Sequence, residues 1–170
     1  MSEPLVIGIG NPDRGDDAVG PLIASRLIGC PCARVIVRND DALALLEDWA
    51  DAEAVILIDA AAANGLPGRI HRLQLAPQAA DDRVLGKLTL PSTHAFGLAE
   101  AVALARALAR LPGHLIVYAV EGQLFSAGAP VTSAVLAAVD ATVDLIRQEI
   151  KQLSGPAIGT DGAGSKGVQG

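Results

Sequence analysis

Aromatic residues are scarce in this chain, and their scarcity excludes one class of function. Only 2% of its 170 residues are Phe, Trp or Tyr, so it offers no aromatic platform for stacking nucleic-acid bases. Excess positive charge is also lacking, since 13 Lys and Arg face 19 Asp and Glu for a net charge of −6. We therefore expect neither a nucleic acid nor an anionic membrane surface as partner.

Long apolar runs and cysteines are equally limited. No run reaches the roughly 18 residues that a bilayer crossing needs, and MSEPLVIGIG lacks the basic start and cleavage site of a signal peptide. Cys30 and Cys32 are the only cysteines. One intervening residue would strain a disulfide, and two thiolates are too few for a structural zinc site. We predict two reduced thiols at a helix-to-strand turn of a cytoplasmic protein.

What the chain does have is aliphatic residues in alternating strand and helix patterns. Hydrophobic residues make up 51% and charged residues 19%, which is typical of a globular domain. We predict strands at 5–9, 34–38, 54–58, 69–75 (an edge strand) and 114–120, and helices beginning between 16 and 21, at 42, at 94 and at 132 or 133. This alternation indicates an α/β fold, a three-layer αβα single domain with a twisted, mostly parallel sheet. The domain is predicted over 1–153, followed by a flexible Gly-rich tail over 154–170.

Ligands of such sheets bind beyond the carboxyl ends of the strands, and this rule selects the candidate residues. The loop 11–17 follows the first strand, Asp59 ends the third, and Glu121 ends the strand before the last helix. His94 opens a helix beside a strand-to-helix crossing. These polar positions are expected to face one crevice.

Two carboxylates and an imidazole are the groups with chemical potential there. One of Asp16 and Asp17 is expected to cap the following helix, which leaves the other at the crevice. Asp59 follows five apolar residues, where an unpartnered carboxylate would be costly. With His94, these side chains fit a borderline divalent metal that keeps open positions for substrate.

The remaining histidines and the glycines at the start of the chain have simpler interpretations. His71, beside Arg72, is predicted to be a surface residue, and His114 a structural one. Gly8 and Gly10 resemble the start of a dinucleotide fingerprint, but Asp13 stands where its third glycine belongs. The acidic loop would also repel a pyrophosphate, which argues against nucleotide binding.

Three segments together resemble the hydrogenase maturation proteases: GIGNPDRGDDAVG, ILIDA and STHAFGLAEAV. The similarity runs in order from about Val6 to Ile146. It implies a phosphorylase/hydrolase-like fold and an endopeptidase that activates a nickel–iron hydrogenase by removing the C-terminal extension of its large-subunit precursor. It also implies that Asp17, Asp59 and His94 are the catalytic, metal-contacting residues. The nickel is expected to arrive with the substrate, so that no ion is permanently bound.

One departure and two alternatives stay open. Many family members carry Gly-Gly-Thr after the second strand, where this chain reads NDDA at 39–42, so the partner hydrogenase and a role for Asp40 are undetermined. GIGNP also resembles the opening of peptidyl-tRNA hydrolases, but Asp16 and Asp17 occupy the stretch where those enzymes place a histidine. A non-proteolytic nickel-sensing chaperone would use the same ligands without cleavage.

Overall fold

The structure, a computed structural model, describes residues 3–39, 41–62, 65–75 and 95–155. Within these ranges the chain forms a five-stranded sheet and four α-helices. In chain order the elements are β1 Leu5–Ile9, α1 Val19–Leu27, β2 Arg34–Arg38, α2 Ala42–Trp49, β3 Ala54–Ala62, β4 Ile70–Leu75, α3 Ala95–Ala107, β5 His114–Gly122 and α4 Ser133–Ser154. None of the described helices combines the length and hydropathy that a bilayer crossing needs.

The strand order is β2-β1-β3-β5-β4, with β4 antiparallel to β5 and the other neighbours parallel. One face of the sheet packs its aliphatic side chains on α1 and α4, and the other packs on α2 and α3. The predicted three-layer architecture and the edge position of β4 are therefore confirmed. The chain leaves β1 toward β2 and returns to β3 on the other side of β1, so the carboxyl ends of β1 and β3 form the topological switch point.

Most predicted elements occur at the expected positions, but two strands are longer. The bounds of strand β2 and the start of helix α2 match the prediction, whereas β3 continues to Ala62 and β5 to Gly122. Within α2, Leu45 and Trp49 are buried, whereas Leu43 is 65% exposed. A helix this short has apolar residues on two faces, and its packing against the sheet determines which face is buried.

The helix α1 lies unusually close to the sheet because glycines remove the intervening side chains. A Cβ at Gly20 would overlap the carbonyl oxygen of Ile9 and lie 2.7 Å from that of Ile58. A Cβ at Gly8 would meet the Cβ of Ala24 at 2.6 Å. The first turn of α1 is consequently pressed against the carboxyl ends of β1 and β3. Cys30 and Cys32 follow in the turn before β2 as free thiols, as predicted.

A polar network fastens α4 to the far edge of the sheet. The Arg72 guanidinium donates to both carboxylate oxygens of Glu149, at 2.6 and 2.9 Å, and the Tyr118 hydroxyl donates to Oε2 at 2.8 Å. These bonds, led by that of Arg72, lower the pKa of Glu149 despite its burial. Burial and the bond to Glu149 raise the pKa of Tyr118 to about 12, so the phenol remains a donor.

Replacing Glu149 by glutamine is expected to lower the free energy of unfolding by about 1–3 kcal/mol at pH 7, because an ionised hydrogen-bond acceptor is lost. A lowered folded-state pKa contributes stability above the ordinary carboxyl value, near 4.5, and that contribution is lost as the pH falls through the folded-state value. Urea unfolding of both proteins at pH 7 and in acid measures the difference.

The matched control lies on the same helix. Asp140 pairs with Arg26 at 2.9 Å, but both side chains are exposed, so Asp140→Asn should change the free energy of unfolding by less than about 0.5 kcal/mol. An equal loss in the two variants would contradict the assignment of stability to the buried network.

Candidate active site at the switch point

The residues that follow β1 form a rigid loop across the switch point. We call residues 10–18 the motif loop and residues 123–132 the β5–α4 loop. Backbone bonds join the two: Gly15 N–H donates to Ala129 O at 3.1 Å, Asp16 N–H to Leu124 O at 2.8 Å, and Gly128 N–H to Asp13 O at 2.7 Å. The motif loop is therefore bonded along its length to the β5–α4 loop.

Asp16 is the side chain that fastens these two loops. Its buried carboxylate accepts from the backbone N–H groups of Gln123, Leu124 and Thr132, at 2.7 to 3.1 Å, and from the Thr132 hydroxyl at 3.0 Å. The expectation that Asp16 or Asp17 caps α1 is wrong, since the cap of α1 is Ala18 and no side chain bonds there. A short 3-10 turn over Gly15–Ala18 leads into α1 instead. Asp16 therefore has a structural role, which is to hold the motif loop and the β5–α4 loop together.

Asp17 remains as the carboxylate of the pair that lies beside the end of β1. Its side chain is buried, and its Oδ2 accepts the backbone N–H of Asn11 at 2.8 Å. A Cβ at Gly10, whose φ is +145°, would overlap the carbonyl oxygen of Asp17. Glycine at this position lets Asp17 pack directly on the residue that follows β1.

Asp59 lies inside β3 rather than at its end, because the strand continues for three more residues. It is fully buried, and its Oδ1 accepts the N–H of Ala60 at 2.8 Å. It follows Ile58, the last β3 residue paired with β1, so it borders the end of β1. Its side chain points to the face covered by α2 and α3, as do those of Leu57 and Ala61. Asp17 and Asp59 thus both lie beside the carboxyl end of β1.

The third predicted ligand and a further candidate lie outside the described residues. His94 immediately precedes α3, and Asp40 immediately precedes Asp41, whose carboxylate caps α2 through Leu43 N–H at 3.0 Å and Ala44 N–H at 3.3 Å. In the described part of the chain, no group of three or more His, Cys, Asp or Glu side chains is placed to hold a metal ion. The convergence of Asp17, Asp59 and His94 therefore stays a prediction.

His71 is not the free surface residue that its sequence neighbours indicate. Its Nε2 lies 2.6 Å from Oε1 of Glu121, and its side chain is 28% exposed while that of Glu121 is 3% exposed. Because β4 is antiparallel to β5, His71 is brought to the carboxyl edge of the sheet. No local pattern reveals this pairing. His114, in contrast, is exposed at the opposite end of β5.

Solved structures of hydrogenase maturation proteases share this fold. Hydrogenase maturating endopeptidase HybD from E. coli is 23% identical, with a TM-score of 0.76 over 90% of this chain and 94% of that one. [NiFe] hydrogenase maturation protease HybD from Thermococcus kodakarensis is 22% identical, with a TM-score of 0.70 over 89% and 100% of the two chains. A hydrogenase 2 maturation peptidase from Thaumarchaeota archaeon SCGC_AB-539-E09 is 25% identical, with a TM-score of 0.66 over 88% and 98%.

The sequence comparisons give the family directly. No curated protein sequence matches the chain. The family described as HycI, hydrogenase maturation protease, matches residues 40–149, more than half of the chain. That range contains Asp59 and His94 and begins after Asp17. The family match also decides against the peptidyl-tRNA hydrolase alternative. The chain therefore belongs to the hydrogenase maturation protease family and is a protease.

Proposed function

We propose that this protease removes the C-terminal extension of a nickel-loaded nickel–iron hydrogenase large-subunit precursor and uses the nickel of that substrate for recognition. The observation that carries the proposal is the placement of both Asp17 and Asp59 beside the carboxyl end of β1, at the switch point of a sheet from this family. A cytoplasmic location fits a substrate that is assembled before it is processed.

The chemistry of these side chains fits a divalent metal carried by a substrate. Carboxylates and an imidazole bind borderline divalent ions, and three protein ligands leave coordination positions for groups of the substrate. At buried positions solvent screens a carboxylate little, so its attraction for a cation is strong. Three protein ligands are nevertheless too few for a closed structural site, so we expect no permanently bound ion in the protein alone.

The geometry of α3 supports the inclusion of His94. The helix has 13 residues, which corresponds to roughly 20 Å, and six residues separate it from the amino end of β5. It packs on the face of the sheet toward which Asp59 points. Its first turn is therefore expected near the carboxyl edge of the sheet, and His94 precedes it by one residue.

The deciding experiment is cleavage of a large-subunit precursor from the same organism, prepared with and without nickel and followed by mass spectrometry. We expect loss of a C-terminal peptide from the nickel-loaded precursor and at least a tenfold lower rate without nickel. Equal rates would contradict recognition through nickel. Binding of the loaded precursor without cleavage would support the chaperone alternative instead.

A further inference from the structure

The pair formed by Glu121 and His71 is a buried acid bonded to a partly exposed imidazole. Glu121 Oε1 lies 2.6 Å from His71 Nε2, and Oε2 accepts the backbone N–H of Leu66 at 3.3 Å. A carboxylate can only accept hydrogen bonds, so Nε2 carries the proton. In the neutral form of the imidazole, the lone pair is then on Nδ1, the nitrogen that can accept a proton.

Strand register places this imidazole in the same row as the proposed metal-contacting residue Asp59, two strands away. Asp59 pairs with Ala119, and Ala119 pairs with His71, so the three residues form one row across β3, β5 and β4. Residues of one row point to the same face of the sheet, which here is the face covered by α2 and α3. Two strand spacings separate the Cα atoms of Asp59 and His71 by roughly 10 Å. The residue between them is alanine, which adds only a methyl group.

A purely structural explanation of the pair is weaker, because backbone bonds already fasten this part of the chain. Gly68 N–H donates to Glu121 O at 2.7 Å, and Glu121 N–H donates to Arg69 O at 2.9 Å. Those bonds form with almost any side chain at position 121. Burying a carboxylate is costly unless it is well bonded, so attaching the loop does not account for a glutamate here.

We propose that His71 is the general base of the proteolytic site and that Glu121 is its positioning residue, an inference that rests on the proposed function. In the first step, Nδ1 of His71 takes a proton from a water molecule while the water oxygen bonds to the scissile carbonyl carbon and the carbonyl π pair moves to its oxygen, which gives a tetrahedral oxyanion whose C=O bond re-forms when the amine leaves. Buried Glu121 stabilises the resulting imidazolium. The imidazolium then returns the proton to the amide nitrogen, the C–N bond breaks, and a carboxyl group and an amine are released.

The test compares four variants with the wild-type chain on the nickel-loaded precursor: His71→Asn, His71→Ala, Glu121→Gln and His114→Asn. We expect His71→Asn to lower kcat by about 10²–10⁴-fold with KM unchanged, since general-base catalysis contributes a factor of that size. Glu121→Gln should lower kcat less, and added imidazole should restore part of the activity of His71→Ala. His114→Asn, an exposed histidine at the other end of β5, is the matched control and should behave as wild type.

A structural role would give a different result. If His71→Ala loses activity only because it melts at a lower temperature, and added imidazole restores none of that activity, the proposal is overturned. A wild-type kcat in His71→Asn would overturn it as well. Asp59→Asn in the same assay separates a failure of the proposed function from a failure of the assignment of His71 as the base. If the wild type cleaves and Asp59→Asn does not, a fully active His71→Asn overturns only the assignment of the base. Absence of cleavage by the wild type overturns the proposed function and this inference together.

Discussion

Replacement of Asp16 by alanine is expected to lower the free energy of unfolding by about 3–5 kcal/mol, because three backbone N–H groups and one hydroxyl lose their acceptor. The carboxylate is buried, and it bonds Gln123, Leu124 and Thr132 from a position more than 100 residues away. A domain of this size is typically stable by only about 5–15 kcal/mol, so the variant loses a large share of its total. Urea unfolding can be followed through Trp49, the single tryptophan, which is buried.

Asparagine at position 16 should restore only part of this stability. Oδ2 of Asp16 accepts from Gln123 N–H, Leu124 N–H and the Thr132 hydroxyl, and an amide oxygen can replace it there, but the NH₂ group would then face the Thr132 N–H that Oδ1 now accepts. Asp13→Ala is the control, because Asp13 is exposed in the same loop and contributes backbone atoms to its contacts. It should change the free energy of unfolding by less than about 0.5 kcal/mol. Similar losses at positions 13 and 16 would show that the carboxylate of Asp16 is not what holds the two loops.

Fold class was predictable because the apolar patterns are strong and local. The run AVILI, rich in β-branched residues, predicts a buried strand, and the three-and-four spacing in Ser133–Ser154 predicts an amphipathic helix. Strand ends were not equally visible. Ala60 to Ala62 continue β3, but alanines carry no strand signal, so Asp59 was expected at the end of the strand.

Long-range pairings account for what the sequence did not reveal about the site. The role of Asp16 depends on Thr132, 116 residues away, and the partner of His71 is Glu121, 50 residues away. The direction of the outermost strand, β4, decides whether its first residues lie near the carboxyl ends of the parallel strands, where the site is. No local sequence pattern indicates that direction. The strand-end rule did select Asp59 and Glu121, because it depends only on strand order along the chain.

Replacement of Asp59 by asparagine is expected to reduce cleavage of the nickel-loaded precursor by at least about 100-fold, since a misplaced scissile bond costs that much. Asparagine keeps the shape of the side chain but removes the negative charge. Asp59 is fully buried, where the attraction between a carboxylate and a divalent cation is screened little. His94→Ala should show the same loss, because each variant removes one of three proposed ligands.

The control for Asp59→Asn is another aspartate at the same edge of the sheet. Asp41 follows β2 and caps α2 by accepting from Leu43 N–H and Ala44 N–H, a role that asparagine fills equally well. Asp41→Asn should therefore keep wild-type activity and stability. Comparing the two variants distinguishes a specific effect of the charge of Asp59 from a general effect of losing one negative charge near the carboxyl ends of the strands. If Asp59→Asn cleaves the precursor as fast as Asp41→Asn, the charge of Asp59 has no part in holding the substrate metal.

Binding of the nickel-loaded precursor, measured beside cleavage, identifies the step that fails in each variant. A ligand role predicts that Asp59→Asn loses affinity for the precursor, whereas loss of His71 should leave that affinity intact.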